Sequence, residues 1–324
     1  MPATLKIFRE WSLSSVTKTA DDWSNYWRGR VGEQTGAALV GAGIEHDVEL
    51  SAFWQSLFAS AELSARVLDL ACGAGSALKH AAAAGLADIT GADISADALK
   101  SLKSAVPNAR IHECSASDTK LNDASFDIIV SQFGIEYAGL PEAVTEIARL
   151  LAPGGVFAAI IHMTGGGIAQ EVAGKLKTGE AINETRFIPL ARDVFTTALQ
   201  RRSPENDARA KQAAEAFRPA EKALAKSASE SGGLAGHLYQ GAQQMYGRIA
   251  NFALPDILGW LDAMQAENDA HVGRMASMIE AAATEAEAET ALAILQQAGC
   301  ETEPLKRFEL GGKDAAWVLR ATKA

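Results

Sequence analysis

The sequence is poor in the features of secreted, metal-stapled or membrane-spanning chains. Its 324 residues include three cysteines, Cys72, Cys114 and Cys300. Such an odd, widely spaced set makes no disulfide framework. No CxxC pair or Cys/His spacing suggests zinc, so no metal is expected. No run of eighteen apolar residues occurs, and residues 1–20 mix charged and polar side chains without a long apolar stretch. Neither a membrane span nor a signal peptide is expected, and the expected location is the cytoplasm. Aromatic residues are only 6% while alanine is abundant, a mix that favours helices over a β-sandwich. Net positive charge is also missing: the formal net charge is −10, and Lys and Arg are scattered singly or in pairs such as Arg201 and Arg202. That excludes a uniformly basic surface and argues against a nucleic-acid partner.

What the chain does have is apolar content: 48% hydrophobic residues, enough for a sizeable core. Residues 1–60 read as N-terminal helices forming a lid. One carries Trp23, Tyr26 and Trp27 on a single face; a second runs from about Asp47 to Ala61. Short apolar strands then alternate with helices. Strands are expected at Arg66–Leu70, Asp88–Asp93, Ala109–Cys114, Phe126–Ser131 and Val156–His162. Helices are expected after the first glycine turn, from Ser95 to Ala105, and from Pro141 to Leu151. This alternation predicts an α/β fold with a doubly wound, mostly parallel sheet over residues 61–163. From Thr164 to Ala286 helical spacing takes over, read as an insertion covering an acceptor site, with Ala225–Gly233 as a mobile link. Residues 287–324 return to the sheet, with a helix at Ala286–Gly299, one strand at Glu301–Leu310 and a closing strand at Ala315–Ala321. No internal repeat is visible.

The first strand enters Asp69-Leu70-Ala71-Cys72-Gly73-Ala74-Gly75, a glycine turn opening a helix. Gly73 and Gly75 let the backbone approach a ligand. Leu78 stands where a dinucleotide fingerprint needs Gly or Ala, which argues against NAD and FAD. Asp93 ends the second strand, where a carboxylate can hold both hydroxyls of a ribose. It could instead cap the next helix, but Ser95 already supplies a cap.

Together, Asp69-Leu-Ala-Cys-Gly-Ala-Gly, Asp93, the run from Ser125 through Tyr137, and Leu151-Ala-Pro-Gly-Gly resemble the class I S-adenosylmethionine-dependent methyltransferases. The resemblance covers residues 61–163 and the last forty. It implies seven strands, the last antiparallel, in a Rossmann-like sheet. It also implies S-adenosylmethionine as cofactor and S-adenosylhomocysteine as product. By that resemblance Asp69 orients the glycine loop and meets the methionine end. Ala71, Gly73 and Gly75 line the methionine portion. Asp93 holds the ribose and Ile94 packs on the adenine. Ser131, Gln132 and Phe133 sit beside the methionine moiety. Where the family often has Asp for the adenine amino group, this chain has Ser115. Either Ser115, with the Ala116 amide, or Asp118 reads the ring. In the N-terminal lid, Tyr26 or Arg30 would reach the cofactor carboxylate, unless that helix is an ordinary packing face.

Methyl transfer needs in-line alignment and exclusion of water. A hydroxyl or ammonium acceptor also needs a base. His162, at the end of strand five, is the candidate; the alternative is a buried histidine bonded to backbone. Tyr137 and Glu136 are placed to face an acceptor, or Glu136 to cap the helix at Pro141. His237, Tyr239, Tyr246 and Arg248 either line an acceptor pocket or form a packing face. The expected activity is methylation of a small molecule at an O, N, S or C atom. Its rivals are methylation of a protein or RNA, and a non-catalytic regulatory protein that binds S-adenosylmethionine. Oligomeric state is not encoded in any visible pattern.

Overall fold

The computed structural model describes residues 47–200 and 203–324. It divides into two compact units, one through Val172 and again from Ser277, the other Ala173–Ala276. Tyr26, with Trp23, Trp27 and Arg30, lies outside the described residues, as does most of the expected lid. Of that lid, helix α1 (Asp47–Ala59) is described.

The first unit is built on a sheet. Its strands are β1 (Val67–Leu70), β2 (Ile89–Asp93), β3 (Arg110–Glu113), β4 (Phe126–Gln132), β5 (Leu151–His162), β6 (Cys300–Thr302), β7 (Lys306–Leu310) and β8 (Lys313–Lys323). The order is β3-β2-β1-β4-β5-β8-β6, with β7 also paired to β8. Strands β1 to β5 pair in parallel, and β8 runs antiparallel to β5, from Val156 opposite Thr322 to His162 opposite Ala316. All of β1 and most of β4 are buried, in keeping with the continuous apolar run Ile128-Ile129-Val130 in β4. Within this unit lie α1, α2 (Ser76–Ala83), α3 (Ala96–Ala105), α4 (Leu140–Leu150) and α10 (Glu285–Gln297). Helices α4 and α10 share one core with β4, β5 and β8, centred on Ile129, Ile147, Phe157, Leu292 and Leu319.

Local chemistry sets the helix ends. Ser95 caps α3 by accepting from the Ala98 N–H at 3.2 Å. Thr284 and Glu287 form a reciprocal capping box on α10. Helix α2 has no side-chain cap: Gly75 at its N-cap sits in the left-handed region, φ 79°. A Cβ at Gly75 would also fall 2.3 Å from Leu102 Cδ1, so another residue would strain the backbone and have to displace the Leu102 side chain.

Three expected elements differ. The expected strand Glu301–Leu310 is two strands, β6 and β7, both on one edge of β8. Pro304 lies in the interruption and has no N–H for the ladder, and this break raises the count from seven to eight. Strand β5 begins at Leu151 and takes in the Pro153-Gly154-Gly155 turn as an irregularity, with a register shift opposite Phe126 and Ile128. Ala225–Gly233 is not a link, since helix persists to Ser231 and the turn is confined to Gly232 and Gly233, both at positive φ.

The second unit is helical, made of most of α5 (Gly167–Glu184) and α9 (Leu254–Ala281) with α6 (Phe187–Leu199), α7 (Pro204–Ser231) and α8 (Gly233–Gly247). It has its own core of Phe187, Phe195, Leu224, Leu238, Ile257 and Leu261. Among the described residues, no helix is long and apolar enough to cross a membrane.

Candidate cofactor site

The carboxyl ends of β1, β2, β4 and β5 bring most of the predicted residues to one edge of the sheet, where open α/β sheets bind ligands. Asp93 is the hinge of that edge. Its Oδ2 accepts from the Gly73 N–H and its Oδ1 from the Ser95 N–H, each at 2.8 Å. It therefore ties the glycine loop after β1 to the end of β2. A carboxylate has about four acceptor positions, so these bonds do not use up its capacity. Burial raises the Asp93 carboxyl above its usual range, opposed by the backbone N–H groups of Ser95, Gly73 and Ile94. Ile94 stands beside it, 45% exposed, on the solvent side of the strand end.

Asp69 is 1% exposed, and its Oδ1 has no hydrogen-bond partner among the described residues. Burial, then the neighbouring Asp93 charge, holds its carboxyl well above the usual value of 3.8. Such an oxygen gains from any ligand that brings a donor to it.

Two non-glycine residues at the strand ends adopt left-handed backbone: Ala71 after β1 and Phe133 after β4, both at φ 54°. Each such residue costs about 1–3 kcal/mol and is held by its surroundings. Here the Phe133 N–H is fixed to the Ile160 carbonyl at 2.8 Å. Gly134 is required next, because a Cβ there would meet Ala71 Cβ at 2.6 Å and the Ala71 carbonyl oxygen at 2.7 Å.

Ser131 and Gln132 reach this edge with their side chains already bonded. The fully buried Ser131 hydroxyl donates to the Leu70 carbonyl at 2.7 Å. Gln132 Oε1 accepts from the indole N–H of Trp54 on α1 at 2.6 Å. No sequence pattern pointed to that pairing. At the β3 end, Ser115 Oγ bonds Ser117 Oγ at 2.9 Å within a tight turn that closes with Asp118. Asp118 is exposed and pairs with Lys120. Ala116 is buried between them in sequence. The turn is tethered through Thr119, whose N–H and hydroxyl both donate to Glu146 of α4. Burial works against ionisation of Glu146, but its bonds from Arg149 and Thr119 prevail and hold it at about 2.

His162, at the end of β5, is 3% exposed. Its Nδ1 lies 2.7 Å from Glu136 Oε1, which also accepts the His162 backbone N–H at 3.0 Å. The sequence alternatives are corrected here: the imidazole bonds a carboxylate rather than backbone, and Glu136 does not cap the helix at Pro141. Helix α4 begins after Gly139 without a side-chain cap. The Phe133 ring lies 4.6 Å from the imidazole, centroid to centroid, and the Tyr137 ring 6.0 Å edge-on. Burial raises the Tyr137 phenol well above 10.

In the helical unit, His237, Tyr246 and Arg248 are exposed and Tyr239 is half-buried against the core. Tyr246 meets Phe195 edge-on at 6.0 Å. In the first unit, a separate cavity of about 630 Å³ is lined by Met163, Gln170, Thr284, Arg307 and Trp317 among others, and by none of the predicted site residues.

Residues 68–159 match the family described as Methyltransferase domain. Over 98 residues the chain is 34% identical to an uncharacterized methyltransferase of Synechocystis sp., taking in 29% of this chain and 46% of that protein. Over 95 residues it is 32% identical to the demethylmenaquinone methyltransferase of Chlorobaculum parvum, 29% of this chain and 39% of that one. The chain thus spans less than half the length of either relative. Among solved structures, a geranyl diphosphate C-methyltransferase from Streptomyces coelicolor A3(2) is 16% identical, with a TM-score of 0.37 over 45% of this chain and 65% of that one. The match to a methyltransferase domain thus runs along the parallel part of the sheet, from β1 into β5.

Proposed function

We propose that the protein binds S-adenosylmethionine along the carboxyl edge of β1, β2 and β4 and passes its methyl group to a small-molecule acceptor. The observation that carries this reading is the pair of buried carboxylates at that edge. Asp93 braces the glycine loop and keeps acceptor capacity for a ribose hydroxyl. Asp69 offers a buried, unpartnered oxygen suited to the ammonium of the methionine end, directly or through water. The uncapped N-terminus of α2 and the left-handed Ala71, Gly73 and Gly75 expose backbone groups beside them. Ile94 supplies an apolar surface for a purine, with the Ser115–Asp118 turn at its rim. The residues present therefore fit the group.

The bound group supplies an electrophilic sulfonium methyl, so the chain's own work is to hold the donor, align the acceptor and exclude water. A small acceptor fits the net charge of −10 better than a polyanionic RNA. The helical unit, leaving the sheet after β5, is the segment assigned to acceptor choice. The test is incubation with S-adenosylmethionine and a pool of metabolites. Formation of S-adenosylhomocysteine that depends on both the pool and Asp93 supports the reading. Donor binding without any turnover would instead mark a regulatory protein.

A further inference from the structure

Three buried polar side-chain atoms at one edge of the sheet lack a hydrogen-bond partner among the described residues: Asp69 Oδ1, Glu136 Oε2 and His162 Nε2. They come from β1, from the helical turn that follows β4 and from the end of β5, and these three strands are consecutive neighbours in the sheet. An unpartnered buried polar group is destabilising, and native folds retain few of them. Asp69 belongs to the donor site proposed above. The other two belong to one hydrogen-bonded pair, Glu136 and His162.

We propose that Glu136 is a positioning residue that makes His162 the base for a hydroxyl acceptor, a phenol or enol in particular. The proposal rests on the methyltransferase reading. Its basis is geometric. Glu136 Oε1 bonds both the His162 backbone N–H and Nδ1, at 3.0 and 2.7 Å, so one carboxylate oxygen ties the ring to the backbone that carries it. A carboxylate can only accept, so Nδ1 carries the proton and Nε2 carries the lone pair. That lone pair is the unpartnered atom. Phe133 and Tyr137 pack around the ring and limit its rotation. A buried Glu136, with its side chain 1% exposed, is also placed to stabilise the imidazolium formed when Nε2 gains a proton.

Nε2 takes the proton of the acceptor hydroxyl while the oxygen forms a bond to the methyl carbon. The methyl–sulfur bond breaks with its electron pair going to sulfur, which loses its positive charge. The imidazolium holds the positive charge until the proton leaves to water. A phenol or enol suits this arrangement because its acidity lies nearer to that of imidazole than an alkyl alcohol's does, and proton transfer is most effective when the two are matched. A thiolate or carbon acceptor would leave the pair with less to do.

The experiment has two arms. The first uses the full-length protein labelled with ¹⁵N-histidine, with His162→Gln to assign the resonance. The expected long-range ¹H–¹⁵N spectrum shows His162 Nε2 as the unprotonated nitrogen and a low-field Nδ1 proton, the latter lost in Glu136→Gln and regained at least partly in Glu136→Asp. A protonated Nε2, or a spectrum indifferent to Glu136→Gln, overturns the proposal. The second arm uses ¹³C-methyl S-adenosylmethionine and the metabolite pool. The carbon shift of the transferred methyl is expected to be that of an aryl or enol ether. In Glu136→Gln, kcat should fall about 10²-fold or more with acceptor KM and S-adenosylhomocysteine affinity within about threefold. An N-, S- or C-bound methyl, or unchanged kcat, overturns it. If no methyl is transferred at all, the methyltransferase reading fails, and the first arm still judges the pair.

Discussion

Trp54 and Gln132 are joined by a 2.6 Å hydrogen bond from the indole N–H to the amide oxygen, seventy-eight residues apart in the chain. The indole is fully buried, so this bond fixes α1 to the end of β4. Trp54→Phe keeps much of the apolar contact but removes the donor. It should cost about 1–3 kcal/mol, mainly by leaving the Gln132 oxygen unpaired. Urea denaturation measures the cost. The same change should weaken S-adenosylhomocysteine binding by less than about tenfold, because Gln132 adjoins the site without holding the ligand through that oxygen.

Asp69 is predicted to trade stability for binding. Its carboxyl is held well above 3.8 in the native state by burial and by the Asp93 charge. As pH rises past about 4 the unfolded chain loses this proton before the native one does. Native stability therefore falls with rising pH until the native carboxyl itself ionises. Asp69→Asn removes that liability. Its thermal midpoint without ligand should exceed that of the unsubstituted protein by about 2–4 °C at neutral pH, a difference that shrinks towards pH 4. Donor affinity should fall by about 10- to 100-fold. Scanning calorimetry across this pH range checks the first claim, and titration calorimetry the second.

Each unit has its own core, so the donor site should survive loss of the helical one. Replacing residues 173–276 by a short Gly/Ser linker should leave S-adenosylhomocysteine affinity within about tenfold and abolish methyl transfer. Circular dichroism verifies that the remaining unit is folded. Tyr239→Ala, Tyr246→Ala and Arg248→Ala in the whole chain are a gentler version, expected to change acceptor KM and to spare donor affinity. Lost donor affinity in those variants would remove the helical unit from acceptor choice.

Much of the sheet was legible because burial on both faces favours apolar runs, as at Ile128-Ile129-Val130 of β4, and because Ser95 and the glycine turn mark helix starts. The split of β6 from β7 was legible only in Pro304, whose effect on a ladder depends on which strand lies beside it. The long helix through Ser231 was obscured by small and polar residues whose weak local signals suggested a link. At this edge, Asp93 was readable as the carboxylate that ends β2. Its bracing of Gly73 was not, since a bond across twenty residues needs the crossover geometry. Glu136 looked as suited to capping Pro141 as to facing a ligand. Only the close approach of the β4 and β5 ends pairs it with His162. The Trp54–Gln132 bond and the Thr119–Glu146 tether carry no local signature.

The most direct measurement is calorimetric titration of S-adenosylhomocysteine into the intact protein and into Asp93→Ala. The unsubstituted protein should bind one equivalent per chain. Asp93→Ala should lose about 10- to 150-fold in affinity, since it loses the hydrogen bonds of a charged group to the ribose and the brace on Gly73. Unchanged affinity in Asp93→Ala, or no binding to the unsubstituted protein, would contradict the account.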